Sequence, residues 1–280
     1  MSFLLRESLE RFLAEDLGRG DATTNAVVPA EARGRGAFVV RSAGIVCGLD
    51  VAREAFSLLD PEVDWRGDAP DGAAAEPGAT IASISGNARA LLSAERVALN
   101  LLQRMCGIAT ATRRYADAVA GTGCRILDTR KTAPGLRALD KRAVIAGGGK
   151  NHRFGLDDGI LIKDNHLAVA GSVAEAVSRA RRGAPALVKI EVEVEDEAAL
   201  REALASGADA LLIDNRSPRE LGPLVALARS LRPEVPLEAS GGVTLENVRA
   251  YAETGVDFVS VGALTHSVTA TDISLELSIA

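Results

Sequence analysis

Polar and charged side chains end or directly follow three short apolar segments between residues 125 and 215 of the 280-residue chain. Thr129, Arg130 and Lys131 come after the first segment, the second ends in Lys163, and the third ends in Asp214. Arginine matches a carboxylate or phosphate with its planar fork, and lysine supplies a compact positive charge. One such residue is as readily explained by a solvated loop, but several in equivalent positions indicate a site for anionic ligands.

A glycine-rich turn, AGGGKNHRFG at 146–155, places His152 and Arg153 directly after three glycines. Glycine lets the backbone approach a ligand closely, and successive N–H groups can bind an anion. We therefore include both residues in the candidate site and give no role to Lys150. Arg137, Lys141 and Arg142 have helical spacing, which is typical of a solvated helix face or of the rim of a site.

Two further glycine-containing segments have the pattern of phosphate-binding loops. ASGGVTLENV (239–248) contains Ser240, Gly241 and Gly242, and VSVGALTHS (259–267) contains Gly262 and His266. In α/β barrels, the loops after the last two strands commonly bind a phosphate. A sugar phosphate is therefore the predicted ligand, although His266 is also compatible with a structural role.

Acids alternate with apolar residues in KIEVEVE, where Glu191, Glu193 and Glu195 share one face of a predicted strand. Because helices cover the outer face of a barrel strand, at least one acid should point into the barrel mouth. Together with Asp214, such an acid could bind ribose hydroxyls or hydrated Mg²⁺. No His/Cys spacing supports a zinc site.

The elements that must position these residues alternate between strand and helix from residue 124 onward. Apolar runs at 125–129, 159–165, 186–194, 210–215, 236–240 and 257–262 read as strands, and amphipathic helices separate the later ones. This alternation predicts parallel strands joined by right-handed crossovers, with the site at their carboxyl ends. A doubly wound sheet is the competing fold, and the absence of a GxGxxG motif weighs against it.

The first third of the chain has a mixed pattern. It predicts a helix near 4–17, strands at 36–42 and 79–85, and a loop at 67–78. Helical spacing continues from 89 to 119, with a bend expected at Gly107, and we expect this helix to connect two domains.

The composition excludes several classes of protein. Aromatic residues make up 3% of the chain and the net charge is −6, which argues against a nucleic-acid partner. No apolar run approaches the roughly 20 residues that cross a bilayer. Cys47, Cys106 and Cys124 lack paired spacing, so we expect buried, reduced thiols in a cytoplasmic protein with no membrane partner.

The stretch TRKTAPGLRALDKRAVIAGGGKNHRFGLDDGILIKDNH resembles the signature of the quinolinate phosphoribosyltransferases. The resemblance extends from EDLGRGDATT (15–24) to ALTHSVTATDISLEL (263–277) and so covers nearly the whole chain. It implies an α/β fold with an N-terminal α/β sandwich domain (1–107) and a C-terminal incomplete α/β barrel (108–267). It also implies a last segment (268–280) that returns to the N-terminal domain.

The resemblance assigns roles to residues already singled out. Arg130, His152 and Arg153 are similar to quinolinate-binding positions, with Lys131 and Lys163 completing a cationic pocket beside Thr129. Glu193 and Asp214 resemble the acids that hold the ribose of phosphoribosyl pyrophosphate (PRPP) and, directly or indirectly, its Mg²⁺. Whether Glu191 shares the role of Glu193 stays open. The remaining implied positions are the phosphate contacts Ser240, Gly241, Gly242, Gly262 and His266, and Arg96, which resembles an arginine contributed by a partner subunit.

The implied activity is transfer of the phosphoribosyl group of PRPP to the nitrogen of quinolinate with decarboxylation, by a homodimer that could assemble further into a hexamer. Two alternatives remain: a paralogue of the same fold that acts on another pyridine acid or belongs to a molybdenum-associated branch, and a noncatalytic sugar-phosphate-binding regulator. Joint presence of Arg130, His152 and Arg153 favours the dicarboxylate substrate, because two carboxylates need more than one arginine.

Overall fold

The computed structural model describes residues 3–279, and these residues form two compact units. The first unit comprises 3–113, 133–148 and 267–279, and the second comprises 114–132 and 149–266. Residues 133–148, which the sequence analysis placed in the barrel domain, therefore pack within the first unit.

Helices and strands are numbered in chain order. The helices are α1 (Phe3–Leu17), α2 (Ala22–Val27), α3 (Leu49–Leu59), α4 (Ala88–Ala118), α5 (Arg137–Ala146), α6 (Asp164–Ala170), α7 (Val173–Gly183), α8 (Glu197–Ala205), α9 (Pro218–Leu231), α10 (Val248–Ala252) and α11 (Ala263–His266). The strands are β1 (Arg33–Val40), β2 (Gly44–Ile45), β3 (Asp64–Gly67), β4 (Ala74–Ala75), β5 (Thr80–Asn87), β6 (Arg125–Leu127), β7 (Ile160–Ile162), β8 (Ile190–Val194), β9 (Ala210–Asp214), β10 (Leu237–Ser240), β11 (Phe258–Ser260) and β12 (Ile273–Ile279).

The first unit contains a four-stranded antiparallel sheet with the order β12-β1-β5-β3. Phe38 on β1 and Phe56 on α3 are fully buried, and their ring centroids lie 5.9 Å apart in an edge-to-face arrangement. Trp65 on β3 lies 5.1 Å from the Phe38 ring. These three rings join the sheet to α3, which buries an apolar face against it.

Helix α4 runs without interruption through Gly107. A Cβ atom at this position would lie 2.2 Å from the carbonyl oxygen of Thr269 and 3.1 Å from Cα of Ala270. The glycine therefore permits close approach of the segment that leads into β12, and the bend expected at this position is not present.

Helix α5 carries buried charges. Lys141 is only 1% exposed, so the expectation of a solvated or rim position is wrong for this residue. Arg142 bonds the carboxylates of Asp50 and Asp71 at 2.7–3.0 Å. The spacing of charges along the helix could not predict this burial or these ion pairs. The same spacing occurs on a solvated helix face and on a face that packs against another segment.

The bidentate pair between Arg104 on α4 and Asp140 on α5 yields a stability prediction. Both bonds are 2.8 Å long, and the Asp140 side chain is fully buried. We expect Arg104→Ala to lower the free energy of unfolding by about 3 kcal/mol, because a buried carboxylate loses its partner. Urea denaturation measures the change. In the control, Arg66→Ala should cost under about 0.5 kcal/mol, because that arginine side chain is 81% exposed. Equal losses in the two variants would contradict the prediction.

The second unit is built on a six-stranded parallel sheet with the order β6-β11-β10-β9-β8-β7. Strands β7 to β11 are neighbours in chain order, and β6 pairs with the last of them. This is the order of an α/β barrel whose ring is open between β6 and β7, and it excludes the doubly wound alternative. At the open edge, Lys150 forms one parallel bridge with Leu127.

Helices between the strands begin at identifiable caps. Ser172 and Asp196 accept backbone N–H bonds at the starts of α7 and α8, and Ser217 with Glu220 forms a capping box at the start of α9. Because all six strands pair in parallel, their carboxyl ends lie at one end of the ring, where the predicted site residues follow. Within residues 3–279, no helix has the length and apolar character needed to cross a membrane.

Candidate active site

Strand β8 directs two acids into the ring. Ile190, Val192 and Val194 are buried, and they alternate with the partly buried Glu191 and Glu193. Because residues alternate between the two faces of a strand, the apolar residues pack toward the surrounding helices and the acids face the interior. Both acids therefore lie within the barrel.

Glu195 does not continue this pattern. It follows the last residue of β8, is exposed, and lies 3.3 Å from Arg216. The prediction that three acids share one strand face thus holds only for the first two.

Lys163 follows β7 and forms an ion pair with Glu193 on the neighbouring β8. Its Nζ lies 2.6 Å from the carboxylate, and the Glu193 side chain is only 10% exposed. The backbone N–H of Lys163 donates to Nδ1 of His166 at 2.9 Å, which fixes the start of α6. A lysine and an acid of the predicted site are therefore in direct contact.

His152 is anchored on both sides of its ring and at its backbone. Its N–H donates to Asp128 at 2.9 Å, and its Nδ1 accepts from the N–H of Arg153 at 2.7 Å. Its Nε2 lies 3.0 Å from Glu191 and 3.4 Å from Glu238. Since Nδ1 accepts a hydrogen bond, the neutral ring carries its proton on Nε2 and donates it toward these glutamates.

The two glutamates influence the titration of His152. Burial lowers the pKa of the imidazole, whereas the hydrogen bond to Glu191 and the charges of Glu238 and Glu191 raise it, and the net change is upward. The Arg153 N–H on Nδ1 opposes a second ring proton, because it occupies the nitrogen that would receive it.

Arg153 and Arg130 lie close enough to affect each other electrostatically. Burial and the charge of Arg130 lower the pKa of Arg153, and Glu191 acts in the opposite direction. One Arg153 nitrogen donates to the carbonyl of Gly159 at 2.7 Å. The Nε of Arg130 is buried and, within residues 3–279, has no hydrogen-bond partner. Two guanidinium groups that interact electrostatically, one with an unused buried donor, have the chemistry to bind an anion.

A cavity of about 570 Å³ extends into the ring and reaches this cluster. His152, Arg153, Glu191 and Glu238 line it, together with residues at the amino-terminal starts of strands β7, β9 and β11. Of the predicted site residues, His152 and Arg153 line the cavity. This cavity therefore lies toward the amino-terminal starts of the strands, whereas the other predicted site residues of this unit lie at or after the carboxyl ends and are not among its lining residues.

At the carboxyl ends of β9 and β10, Asp214 pairs in register with Ser240. Gly241 has φ +92°, and a Cβ there would lie 2.2 Å from the Asn215 side-chain oxygen, so the turn requires glycine. Gly242 also has positive φ, with open space around its Cα. Asn215 Nδ2 donates to Asp214 at 2.6 Å. An acid and a glycine turn thus lie side by side.

The ends of β6 and β11 bring together Lys131, Gly262 and His266. A Cβ on Gly262 would lie 3.1 Å from the Lys131 side chain and 3.2 Å from the His266 ring. Thr129 Oγ1 accepts the N–H of Lys131 at 3.1 Å. Since β6 and β11 are paired, these residues form a second part of the same barrel end.

Arg96 lies in the first unit, on an exposed position of α4. It lines a separate cavity of about 350 Å³, which also has Glu15 and Asp16 in its wall. The geometry of this unit alone does not assign Arg96 to the anion site.

Oxygen donors for a metal ion are present at two places. Glu193 and Asp214 offer carboxylates of the kind that Mg²⁺ uses together with water and phosphate, although Glu193 is already paired with Lys163. Ligand atoms of His152, Glu191 and Glu238 lie within 4.8 Å of one another. Since the imidazole–carboxylate bond already engages these atoms, we assign no metal to that cluster.

Sequence reasoning missed Glu238 and Asp128. Glu238 is 3% exposed and Asp128 is fully buried. A signal for Glu238 existed, because it stands two residues before Ser240 and therefore shares its strand face. Burial raises the pKa of Glu238, and the charge of Glu191 raises it further. The lowering effects of His152, Ser260 and Lys163 are smaller, so the pKa stays well above its ordinary value.

Comparison with known families accounts for almost the full chain. Residues 21–106 match the family described as quinolinate phosphoribosyl transferase, N-terminal domain, and residues 108–276 match its C-terminal domain. The chain therefore contains both domains of one family in their family order.

Individual proteins agree with this match. The chain is 46% identical over 275 residues to a probable nicotinate-nucleotide pyrophosphorylase (carboxylating) of Bacillus subtilis, covering 98% of this chain and 94% of that protein. It is 47% identical over 278 residues to the nicotinate-nucleotide pyrophosphorylase (carboxylating) of Mycobacterium leprae, covering 97% and 96%. The crystal structure of NadC from Streptococcus pyogenes superposes with a TM-score of 0.94 at 37% identity, covering 100% of this chain and 98% of that one.

Proposed function

Because the chain belongs to the quinolinate phosphoribosyltransferase family, it transfers the phosphoribosyl group of PRPP to the nitrogen of quinolinate with loss of CO₂, and we propose which residues perform each part of this reaction. The products are nicotinate mononucleotide, pyrophosphate and CO₂, in de novo NAD biosynthesis. The observation that carries the assignment is the electrostatically coupled pair Arg130 and Arg153, in which the buried Nε of Arg130 has no hydrogen-bond partner among the described residues.

Quinolinate binds in the cationic part of the site. Arg130 and Arg153 each receive one of its carboxylates, and Lys131 and Lys163 add positive charge. The neutral ring of His152 has both nitrogens engaged by protein groups, so it fixes the position of Arg153 and of the neighbouring acids. Two arginine forks set the orientation of the pyridine ring, which is most of what the bond-forming step requires.

PRPP binds at the carboxyl ends of the strands. Glu193 and Asp214 face its ribose, and the Ser240–Gly241–Gly242 turn and the Gly262–His266 segment contact its phosphates. Open space beside Gly242 and the positive φ of both turn glycines support this placement, because they leave backbone groups accessible to an anion. Thr129 supports Lys131, whose backbone it holds at 3.1 Å.

Mg²⁺ is the proposed cofactor. Asp214 would hold it directly or through water, with Glu193 near the same ribose. Bound Mg²⁺ would supply charge neutralisation for the leaving pyrophosphate, and oxygen ligands of this type suit it.

The chemistry then follows from positions and charges. As the bond from C1 to pyrophosphate breaks, the sugar becomes cationic, and Glu193 and Asp214 stabilise that charge. The pyridine nitrogen supplies the electron pair for the new bond. The product of this step is a pyridinium with positive charge on its nitrogen. When the carboxylate on C2 departs as CO₂, the electron pair of the broken bond stays on C2, where the adjacent positive charge stabilises it. A proton then adds to C2.

The site is completed by a second copy of the chain. We assign Arg96 to the barrel site of the partner in a homodimer, and such dimers could assemble into hexamers. Free, buried cysteines support a reducing compartment, for which we propose the cytoplasm.

Product analysis tests the activity. Purified protein with quinolinate, PRPP and Mg²⁺ should release CO₂ and nicotinate mononucleotide in equal amounts, and a chelator should lower the rate at least about 100-fold, because uncompensated pyrophosphate leaves poorly. Nicotinate in place of quinolinate is the control for the paralogue reading. Faster nucleotide formation from nicotinate, without CO₂, would contradict the assignment. Ligand binding with no pyrophosphate release would instead indicate a regulator.

A further inference from the structure

The partly buried Glu191 and the buried Glu238 face the same nitrogen of His152. Nε2 lies 3.0 Å from Glu191 and 3.4 Å from Glu238. Because Nδ1 accepts from Arg153, the neutral ring has one N–H to donate. The shorter distance gives that bond to Glu191, so Glu238 is left with the longer and weaker contact.

Glu238 also lies in a poor environment for an anion. It is 3% exposed, and the residues paired with it on β9 and β11 are the apolar Leu212 and Phe258. Ser260 supplies one side-chain hydrogen bond. One hydroxyl group does not offset the cost of removing a carboxylate from water.

The charged or titratable groups that face Glu238 come from three other elements. They are His152 on the segment beside β6, Glu191 on β8 and Lys163 after β7. Burial and Glu191 raise the pKa of Glu238 by more than His152 and Lys163 lower it. The nearest acid therefore opposes its ionisation, while Lys163 is directly paired with Glu193 instead.

We propose that Glu238 is a positioning residue of the quinolinate pocket that works as a neutral carboxylic acid, packing against His152 and Glu191 without adding negative charge beside the arginines. The inference rests on the proposed quinolinate site. Glu238 is not among the direct substrate contacts, and it acts through His152 and Arg153.

The charge balance explains why neutrality matters. The charged side chains of the pocket are the cations Arg130, Lys131, Arg153 and Lys163 and the acids Asp128, Glu191 and Glu193. With Glu238 neutral, the cations exceed these acids by one, and the pocket attracts a dianion. With Glu238 ionised, the excess is cancelled and quinolinate meets a further carboxylate. Quinolinate binding should therefore keep Glu238 protonated, and at alkaline pH binding should take up a proton.

Calorimetric titration with quinolinate, in two buffers of different ionisation enthalpy at about pH 8.5, measures that proton. We expect proton uptake by the wild-type enzyme and none by Glu238→Gln, because glutamine reproduces the neutral acid and cannot ionise. At about pH 9, the KM for quinolinate should be about fivefold lower in Glu238→Gln than in the wild type, and its rise with pH should be smaller. Carboxylic acids of ordinary pKa, such as those of the substrate, do not titrate in this range.

Glu197→Gln is the matched control, because this glutamate side chain is 62% exposed on α8. It should preserve both the proton uptake and the pH dependence of the wild type. Equal proton uptake by wild type and Glu238→Gln would overturn the proposal. The proposal would also be overturned if Glu238→Gln raised the KM for quinolinate by the same factor at every pH, because that result would show a purely structural role.

Unfolding in urea tests the protonation state without substrate. When folding raises the pKa of an acid, the resulting contribution to the free energy of unfolding is complete at pH values below the pKa in the unfolded chain. It is lost as the pH rises toward the pKa in the folded protein. The stability of the wild type relative to Glu238→Gln should therefore fall from about pH 5 upward through neutrality. A constant difference would refute the neutral acid. Loss of product formation by the wild type would instead refute the proposed function, so the two failures are distinguishable.

Discussion

Arg153→Ala should raise the KM for quinolinate about 100-fold, equivalent to about 2.7 kcal/mol, while the protein stays folded. The guanidinium lies beside Arg130 and at the wall of the cavity, so its loss removes a charged hydrogen bond to one substrate carboxylate. Arg130→Ala should have an effect of similar size for the other carboxylate. Steady-state kinetics at saturating PRPP measures both changes.

Stability should respond differently from activity. In the empty protein the two arginines repel each other, and the buried Nε of Arg130 has no partner within residues 3–279. Arg130→Ala should therefore leave the melting temperature unchanged or raise it, because it relieves repulsion between like charges. Arg130→Lys keeps the charge and loses the fork, so it should recover only part of the affinity.

Arg201→Ala is the control, since this arginine is half exposed on α8 and pairs only with Glu197 among the described ion-pair partners. Its kinetics should match the wild type. Unchanged quinolinate saturation in both Arg130→Ala and Arg153→Ala would contradict the assignment of the anion site. A large fall in melting temperature would show that the arginines serve the fold.

Parts of this site were predictable from local patterns. Period-two alternation places Glu191 and Glu193 on the interior face of β8 because a strand has only two faces. Alternating strands and helices predict parallel pairing, and the open ring agrees with that prediction. The Ser-Gly-Gly turn after β10 was recognisable because the positive φ values there favour glycine.

Other parts of the structure depend on contacts between residues that are far apart in the sequence. Glu238 is one acid among apolar residues, and only the closing of the sheet brings it to His152. Lys141 belongs to a helix whose charges look solvated, yet it is buried because residues 133–148 return to the first unit. Burial of a charge is a tertiary property, so no periodicity in the sequence could predict it.

Mixing two variants with impaired quinolinate binding should restore activity if Arg96 acts in the site of a partner subunit. Arg96→Ala lacks the donated arginine and Arg130→Ala lacks a barrel arginine, so each homodimer has two defective sites. After random exchange of equal amounts, half of the dimers are mixed, and each contains one site with both arginines intact. At quinolinate concentrations well below the wild-type KM, activity should therefore rise from a few per cent at most to about one quarter of the wild-type value. The rate of nicotinate mononucleotide formation, followed during subunit exchange, measures this recovery.

One further mixture defines what the recovery means. Arg130→Ala mixed with Arg153→Ala should stay inactive, because both substitutions lie in the barrel unit and every mixed dimer keeps one defect in each site. Subunit exchange must be verified in both mixtures, for instance by mass spectrometry of differently tagged chains. Exchange without recovery in the Arg96→Ala mixture would place Arg96 outside a shared site. Recovery in both mixtures would instead show that the variants assist each other's folding, since a shared site can be completed in only one of them.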